Sequence, residues 1–256
     1  LKYARIRAFL YECCFKERVY EEKYAESPDL FACRLQPIFA LIPIHHLMSI
    51  LLHIDASPRG ERSVSRQLTH DFASAWKQAH PDGRIIYRDL GHNPVPFVNE
   101  TWIAAAYTPP DALSPELRAA LAISNEFIAE LETASEYVFG VPMHNFSVPA
   151  AFKAYIDQVV RVGRTFAVDE SGYKGLLHSK SATVITSSGG AYRSGSPFAP
   201  YNYQEPWIRA ILGLIGVTEV EFVVADGLSE VEFGKRDREQ YLKPIREQVQ
   251  RKALAA

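Results

Sequence analysis

From residue 50 onward, short apolar runs alternate with stretches in which apolar residues recur every three or four positions. The runs at 50–54, 84–90, 137–141, 180–187 and 217–225 have the length and composition of strands buried on both faces. Between them the period changes. Leu68, Phe72, Ala75, Trp76 and Ala79 share one face of a helix over 65–79. The connection 91–113 is punctuated by proline, with room for a short helix at 101–107. Ser114 can cap a helix with Pro115 in its first position, and Leu117, Leu121, Ile128 and Leu131 mark its buried face. Pro149 opens a helix carrying Phe152, Tyr155, Ile156, Val159 and Val160 on one side. A further helix is predicted over 204–215, and a last amphipathic one runs to the chain end. Five strands separated by helices predict an α/β fold: a doubly wound five-stranded parallel sheet with helices on both faces. Such sheets take ligands at the carboxyl ends of their strands, where the strand order reverses.

Three strands end in loops richer in chemistry than a turn requires. The first is Ala56-Ser57-Pro58-Arg59-Gly60-Glu61-Arg62-Ser63-Val64-Ser65, directly ahead of a helix. Serine hydroxyls, backbone amides and a helix N-terminus together suit an anion, with Arg59 or Arg62 able to add charge. Capping by Ser63 or Ser65 is the plainer alternative. The second loop is Pro142-Met143-His144-Asn145-Phe146-Ser147-Val148-Pro149. Each proline restricts its own φ and the residue before it, so the path is fixed. Amides and an Asn side chain held this way suit the edge of a flat heterocycle, and Met143 and Phe146 suit its faces, although both are also ordinary core residues. The third loop is Thr186-Ser187-Ser188-Gly189-Gly190-Ala191-Tyr192, whose glycines let backbone approach a ligand or simply make a flexible turn.

Several chemistries have no support. There is no G-x-x-x-x-G-K-[ST], no G-x-G-x-x-G after the first strand and no G-x-S-x-G elbow. The eight histidines form no H-x-x-x-H pair, and no metal site is expected. A formal net charge of −2 points away from nucleic acid and from anionic membranes as partners. All three cysteines, Cys13, Cys14 and Cys33, fall in residues 1–47, so the remainder has no disulfide framework. Residues 1–47 are read as an N-terminal extension of upstream or disordered sequence ahead of Met48, and residues 48–256 as the domain proper. The apolar stretch 35–54 is interrupted by Pro37, Pro43, His45 and His46 and is not expected to span a membrane. A cytoplasmic protein is expected.

The three motifs S-P-R…S-x-S, P-M-x-N-F-S-x-P and S-x-G-G-x-Y, in this order on alternating β/α sequence, resemble the FMN-dependent NADH-azoreductase family, also described as FMN-dependent NADH:quinone oxidoreductases. The likeness extends from Met48 to about Gln250, and the P-M-x-N-F-S-x-P segment is its most specific part. It implies a flavodoxin-like sheet of order 2-1-3-4-5 with bound FMN at the switch between the first and third strands. It implies that Ser57, Ser63, Val64 and Ser65 hold the FMN phosphate and ribityl chain. Met143, His144, Asn145 and Phe146 line the flavin ring, and Ser187, Ser188, Gly189 and Gly190 meet its pyrimidine edge. NADH is the implied electron donor, and quinones or aromatic azo compounds are the acceptors in a two-electron ping-pong cycle. No side chain is implied as an obligatory acid or base. His144, where members commonly carry Tyr, could hydrogen-bond a ring edge or donate a proton to product beside a flavin, and a loop histidine that only positions backbone is the plainer alternative. Ser188 stands where members commonly carry Arg. A homodimer is implied, with Phe166, Tyr192, Phe198 and Tyr201 as candidates for the wall it builds around each flavin. Two other readings remain: another NAD(P)H-dependent reductase of flavins or nitroaromatics, and a flavodoxin-type electron carrier, which would want a more acidic docking face than the formal charge of −3 on residues 48–256 supplies.

Overall fold

The computed structural model describes residues 49–256. The expectation about residues 1–47 lies outside them. The chain starts with β1 (Ile50–Asp55), followed by α1 (Val64–Ala79) and β2 (Arg84–Asp89). Next come α2 (Glu100–Tyr107), α3 (Pro115–Ala120), α4 (Ala122–Thr133) and β3 (Glu136–Pro142). After α5 (Ala150–Val159), β4 (Phe166–Asp169) and β5 (Gly172–Gly175) make a small antiparallel hairpin. The second half holds β6 (Ser181–Ser187), α6 (Gln204–Leu214), β7 (Glu219–Ala225), α7 (Ser229–Glu232) and α8 (Arg238–Ala255).

The main sheet runs β2-β1-β3-β6-β7 with every pair parallel. With the hairpin set aside this is the expected flavodoxin-like order 2-1-3-4-5. Side chains alternate across it and feed two apolar layers. Leu52, Ile54, Tyr137, Phe139 and Val184 pack against α4, α5 and α6 through Ile128, Phe152, Tyr155 and Ile208. Leu51, Val138, Ile185 and Val223 face α1 and α8 through Leu68, Phe72, Trp76, Leu242 and Val249. The β1-to-β2 connection goes one way from β1 and the β2-to-β3 connection returns on the other. The resulting switch point puts the carboxyl ends of β1 and β3 side by side, with Asp55 opposite Gly140.

Two features depart from the sequence expectation. The helix capped by Ser114, whose hydroxyl accepts from the Leu117 amide at 3.2 Å, stops at Ala120, and a second begins at Ala122. Leu121 sits at the break and is buried with Trp102 and Ala105, so α3 folds onto α2 while α4 turns back to the sheet. The β4–β5 hairpin is the other. Val168 and Tyr173 stand exposed on it, so it leaves no buried alternation in the sequence. Among the described residues no helix is long and apolar enough to cross a membrane.

Candidate functional site

The loop after β1 is held from several sides. Ala56 N donates to Gly140 O at 2.9 Å, keeping the chain on β3 one step beyond the strand. The Ser57 hydroxyl accepts from the Arg59 amide at 3.3 Å, and a single 3-10 turn over Gly60–Arg62 leads to Ser63. Ser63 is the N-cap of α1 and accepts from Arg66 N at 3.4 Å, so the capping alternative holds for this serine. Ser65 does not cap the helix. Its hydroxyl lies 3.2 Å from that of Ser63. Ser57, Ser63, Val64 and Ser65 are all buried. Two hydroxyls thus meet at a helix end whose first amides have no intrahelical acceptor, at the end of the loop that Ser57 opens, an arrangement that suits an anion such as a monophosphate. Arg59 supplies no charge to this point, because its guanidinium pairs with Glu232 at 2.5 Å.

A residue absent from the sequence expectation braces this loop. Arg66, in the first turn of α1, donates from Nε to the Ser57 carbonyl at 2.7 Å. Its Nη1 reaches Tyr87 and Asp89, both at 3.0 Å, and its Nη2 pairs with the other Asp89 oxygen. Burial by itself would raise the Asp89 carboxyl, but Arg66 and His92 outweigh it and hold it down at about 2. Burial, reinforced by Asp55 and Asp89, pushes the Tyr87 phenol up to about 12. The only sequence signal for this brace is a charged residue in a helix's first turn, and the residues it meets lie up to 26 positions away.

The loop after β3 is a two-residue hairpin. Ser147 N donates to His144 O and His144 N to Ser147 O, each at 3.0 Å. Between them Asn145 and Phe146 both have positive φ, 49° and 69°, the pattern of a type I′ turn. Asn tolerates this region; an aromatic residue there is strained by about 1–2 kcal/mol. Strain of this kind collects where a side chain is displayed for use. Met143 is half-buried, whereas His144, Asn145 and Phe146 are exposed. The backbone of His144 closes the turn while its ring faces solvent.

The loop after β6 meets both neighbours. Ser187, opposite Pro142 in the ladder, accepts from Met143 N at 2.7 Å. The carbonyls of Ser188, Gly189 and Gly190 accept from Leu228, Ser229 and Gly227, all at 3.0 Å. The Phe146 ring lies 5.9 Å from Tyr192 and 5.3 Å from Tyr201, and Tyr192 lies 6.3 Å from Phe198. Three of the four expected wall residues therefore gather at the strained turn. The fourth, Phe166, pairs instead with Tyr173 on the hairpin. Among the described residues no cluster of three or more His, Cys, Asp or Glu could hold a metal ion.

The three loops follow the carboxyl ends of β1, β3 and β6 and so flank the switch-point crevice in which α/β sheets of this order take ligands. The chain belongs to the flavodoxin-like fold family, whose model matches residues 49–249, and within it to the FMN-dependent NADH:quinone oxidoreductase and azoreductase group. It is 53% identical over 203 residues to FMN-dependent NADH:quinone oxidoreductase 2 of Trichormus variabilis, covering 79% of this chain and 97% of the relative. It is 47% identical over 206 residues to the FMN-dependent NADH:quinone oxidoreductase of Acidobacterium capsulatum, covering 80% of this chain and 100% of the relative. Among solved structures, an azoreductase from Bacillus anthracis matches with TM-score 0.74 and 27% identity over 82% of this chain and 100% of that one. An FMN-dependent NADH-azoreductase from Bacillus anthracis in complex with FMN matches with TM-score 0.71 and 25% identity, over 80% and 98% respectively.

Proposed function

We propose that the protein is an FMN-dependent NADH:quinone oxidoreductase that also cleaves aromatic azo compounds by reduction. The observation that carries this reading is the meeting, at one switch point, of a serine-lined helix N-terminus with a strained turn that displays Asn145 and Phe146. The two relatives above are named FMN-dependent NADH:quinone oxidoreductases, and the two solved structures above are named azoreductases. Ser57, Ser63 and Ser65, with the Val64 and Ser65 amides, hold the FMN phosphate and the start of its ribityl chain. Met143, His144, Asn145 and Phe146 line the flavin ring, and Ser187, Ser188, Gly189 and Gly190 present backbone to its pyrimidine edge. When bound, FMN supplies the two-electron chemistry between NADH and a quinone or azo acceptor. The protein's part is to fix the ring, leave one face open and keep competing reactions out. The exposed His144 ring stands where it can hand a proton to reduced product.

Phe146, Phe198, Tyr201 and Tyr203 are all at least 42% exposed, which makes a continuous aromatic surface beside the crevice. Surfaces of this kind mark association, and we assign it to a homodimer in which both chains wall each flavin. Residues 48–256 form the reductase domain, and the protein works in the cytoplasm. The test is an absorbance spectrum of the purified protein, then NADH added without oxygen, then menadione. A bleached flavin band that returns with menadione is the expected result. A protein that binds no flavin, or whose flavin NADH leaves oxidised, is not this enzyme.

A further inference from the structure

A second polar site lies one loop beyond the crevice. Asp226 follows β7 and is 6% exposed, yet its Oδ2 has no protein donor. The other oxygen has only Arg193, at 3.5 Å, and the Arg193 side chain is 72% exposed. A buried carboxylate oxygen without a donor is costly and calls for one. Asp226 borders a groove of about 500 Å³ shared with Arg193, Val224, Arg236 and Tyr241. It also borders a smaller hollow of about 90 Å³ that reaches Met143 and Ser188. Arg193, Val224 and Asp226 line both, so the groove leads into the residues facing the flavin ring. The link is rigid, because Gly227 N donates to Gly190 O at 3.0 Å and the next two amides hold Ser188 and Gly189. The Tyr241 hydroxyl donates to the Asp226 backbone carbonyl at 2.5 Å, and the Arg236 guanidinium lies over the Tyr241 ring at 5.3 Å.

The groove offers a carboxylate short of donors, the largely exposed Arg193 guanidinium 3.5 Å from it, and a tyrosine capped by a second guanidinium. A ribose diol supplies two donors to one carboxylate, and a pyrophosphate suits Arg. The groove's strand, β7, is two positions from β3, roughly 10 Å at the usual strand spacing. We propose that it seats the adenosine arm of the dinucleotide donor: Asp226 accepts from the ribose hydroxyls and Arg193 pairs with the pyrophosphate. This rests on the reductase reading above. It carries a specificity consequence, since a carboxylate at the ribose rejects a 2′-phosphate and favours NADH over NADPH.

The test compares three donors: NADH, NADPH and reduced nicotinamide mononucleotide, which lacks the adenosine arm. Arg193→Ala and Asp226→Asn should each raise the KM for NADH about tenfold. Asp226→Asn should also narrow the gap between NADH and NADPH. Both variants should reduce their flavin with the mononucleotide within twofold of the unaltered protein and bind FMN equally well. ADP-ribose should compete with NADH in the unaltered protein and lose that competition in Arg193→Ala. An equal loss with NADH and the mononucleotide would place these residues in support of the flavin loop and overturn the proposal. An unchanged KM for NADH would leave the groove to solvent and overturn it too. If the unaltered protein takes no electrons from any of the three donors, the reductase reading itself fails, an outcome distinct from either of these.

Discussion

The guanidinium of Arg66 donates from Nε to the carbonyl of Ser57 at 2.7 Å, tying the first turn of α1 to the loop that leads into it. The rest of the fork is spent on Asp89 and Tyr87, so the bond is directed from a fixed base. A lysine keeps the charge but cannot make the fork. A hydrogen bond to a charged group contributes roughly 1.5–3 kcal/mol. Arg66→Lys should therefore weaken FMN binding about tenfold or more while riboflavin, which has no phosphate, binds almost as before. Titration of flavin fluorescence reads both. Equal FMN affinity in Arg66→Lys would mean that only the charge matters.

The same brace sets an acid limit. The Asp89 carboxyl is held at about 2, below its ordinary value near 3.8. A lowered carboxylate adds stability that is fully present above its unfolded value and is lost as pH falls through the folded one. The difference in unfolding free energy between the protein and Asp89→Asn should be constant above about pH 4 and shrink toward pH 2. Urea unfolding at a series of pH values measures it. A difference that shrinks instead between pH 5 and 7 would assign it to another group.

Ser63 and Ser65 lie 3.2 Å apart at the helix end, where the phosphate is placed. Replacing both with Ala should cost about tenfold or more in FMN affinity, from two lost charge-assisted bonds. Loss of the Ser63 cap should also lower stability by about 1 kcal/mol. Calorimetric titration with FMN and with riboflavin separates the two effects. If riboflavin binding falls as far as FMN binding, the serines serve the fold alone.

The sheet was legible because Leu51, Leu52, Val138 and Phe139 are buried on both faces, and a continuous apolar run announces that. The Ser114–Pro115 helix start was legible because capping is local chemistry. The three loops stood out because their residues exceed what a turn needs. What stayed hidden depends on tertiary contact. Arg59 meets Glu232 across 173 positions, and no local pattern assigns it there rather than to an anion. The break at Leu121 follows from burial against Trp102, not from any helix breaker. The left-handed φ of Phe146 runs against the residue's own preference, so only the folded turn reveals it.

That turn gives the most direct check on the site. At φ of 69° an L side chain is strained, and glycine is not. Compared with Phe146→Ala, Phe146→Gly loses the same ring and also relieves the backbone. Glycine is ordinarily the less stable choice, because it enlarges the unfolded ensemble. Here the order should reverse, with Phe146→Gly more stable than Phe146→Ala by about 1 kcal/mol in thermal or urea unfolding. Both variants should lose the ring that meets Tyr192 and Tyr201, and both should change which quinones and azo dyes are accepted. Their rate of flavin reduction by NADH should change less than acceptor turnover, because the ring walls the open face. Initial-rate lines at fixed quinone and varied NADH should stay parallel in both, as expected when one pocket serves donor and acceptor in turn. An alanine variant as stable as the glycine one would mean that residue 146 leaves the left-handed region in solution.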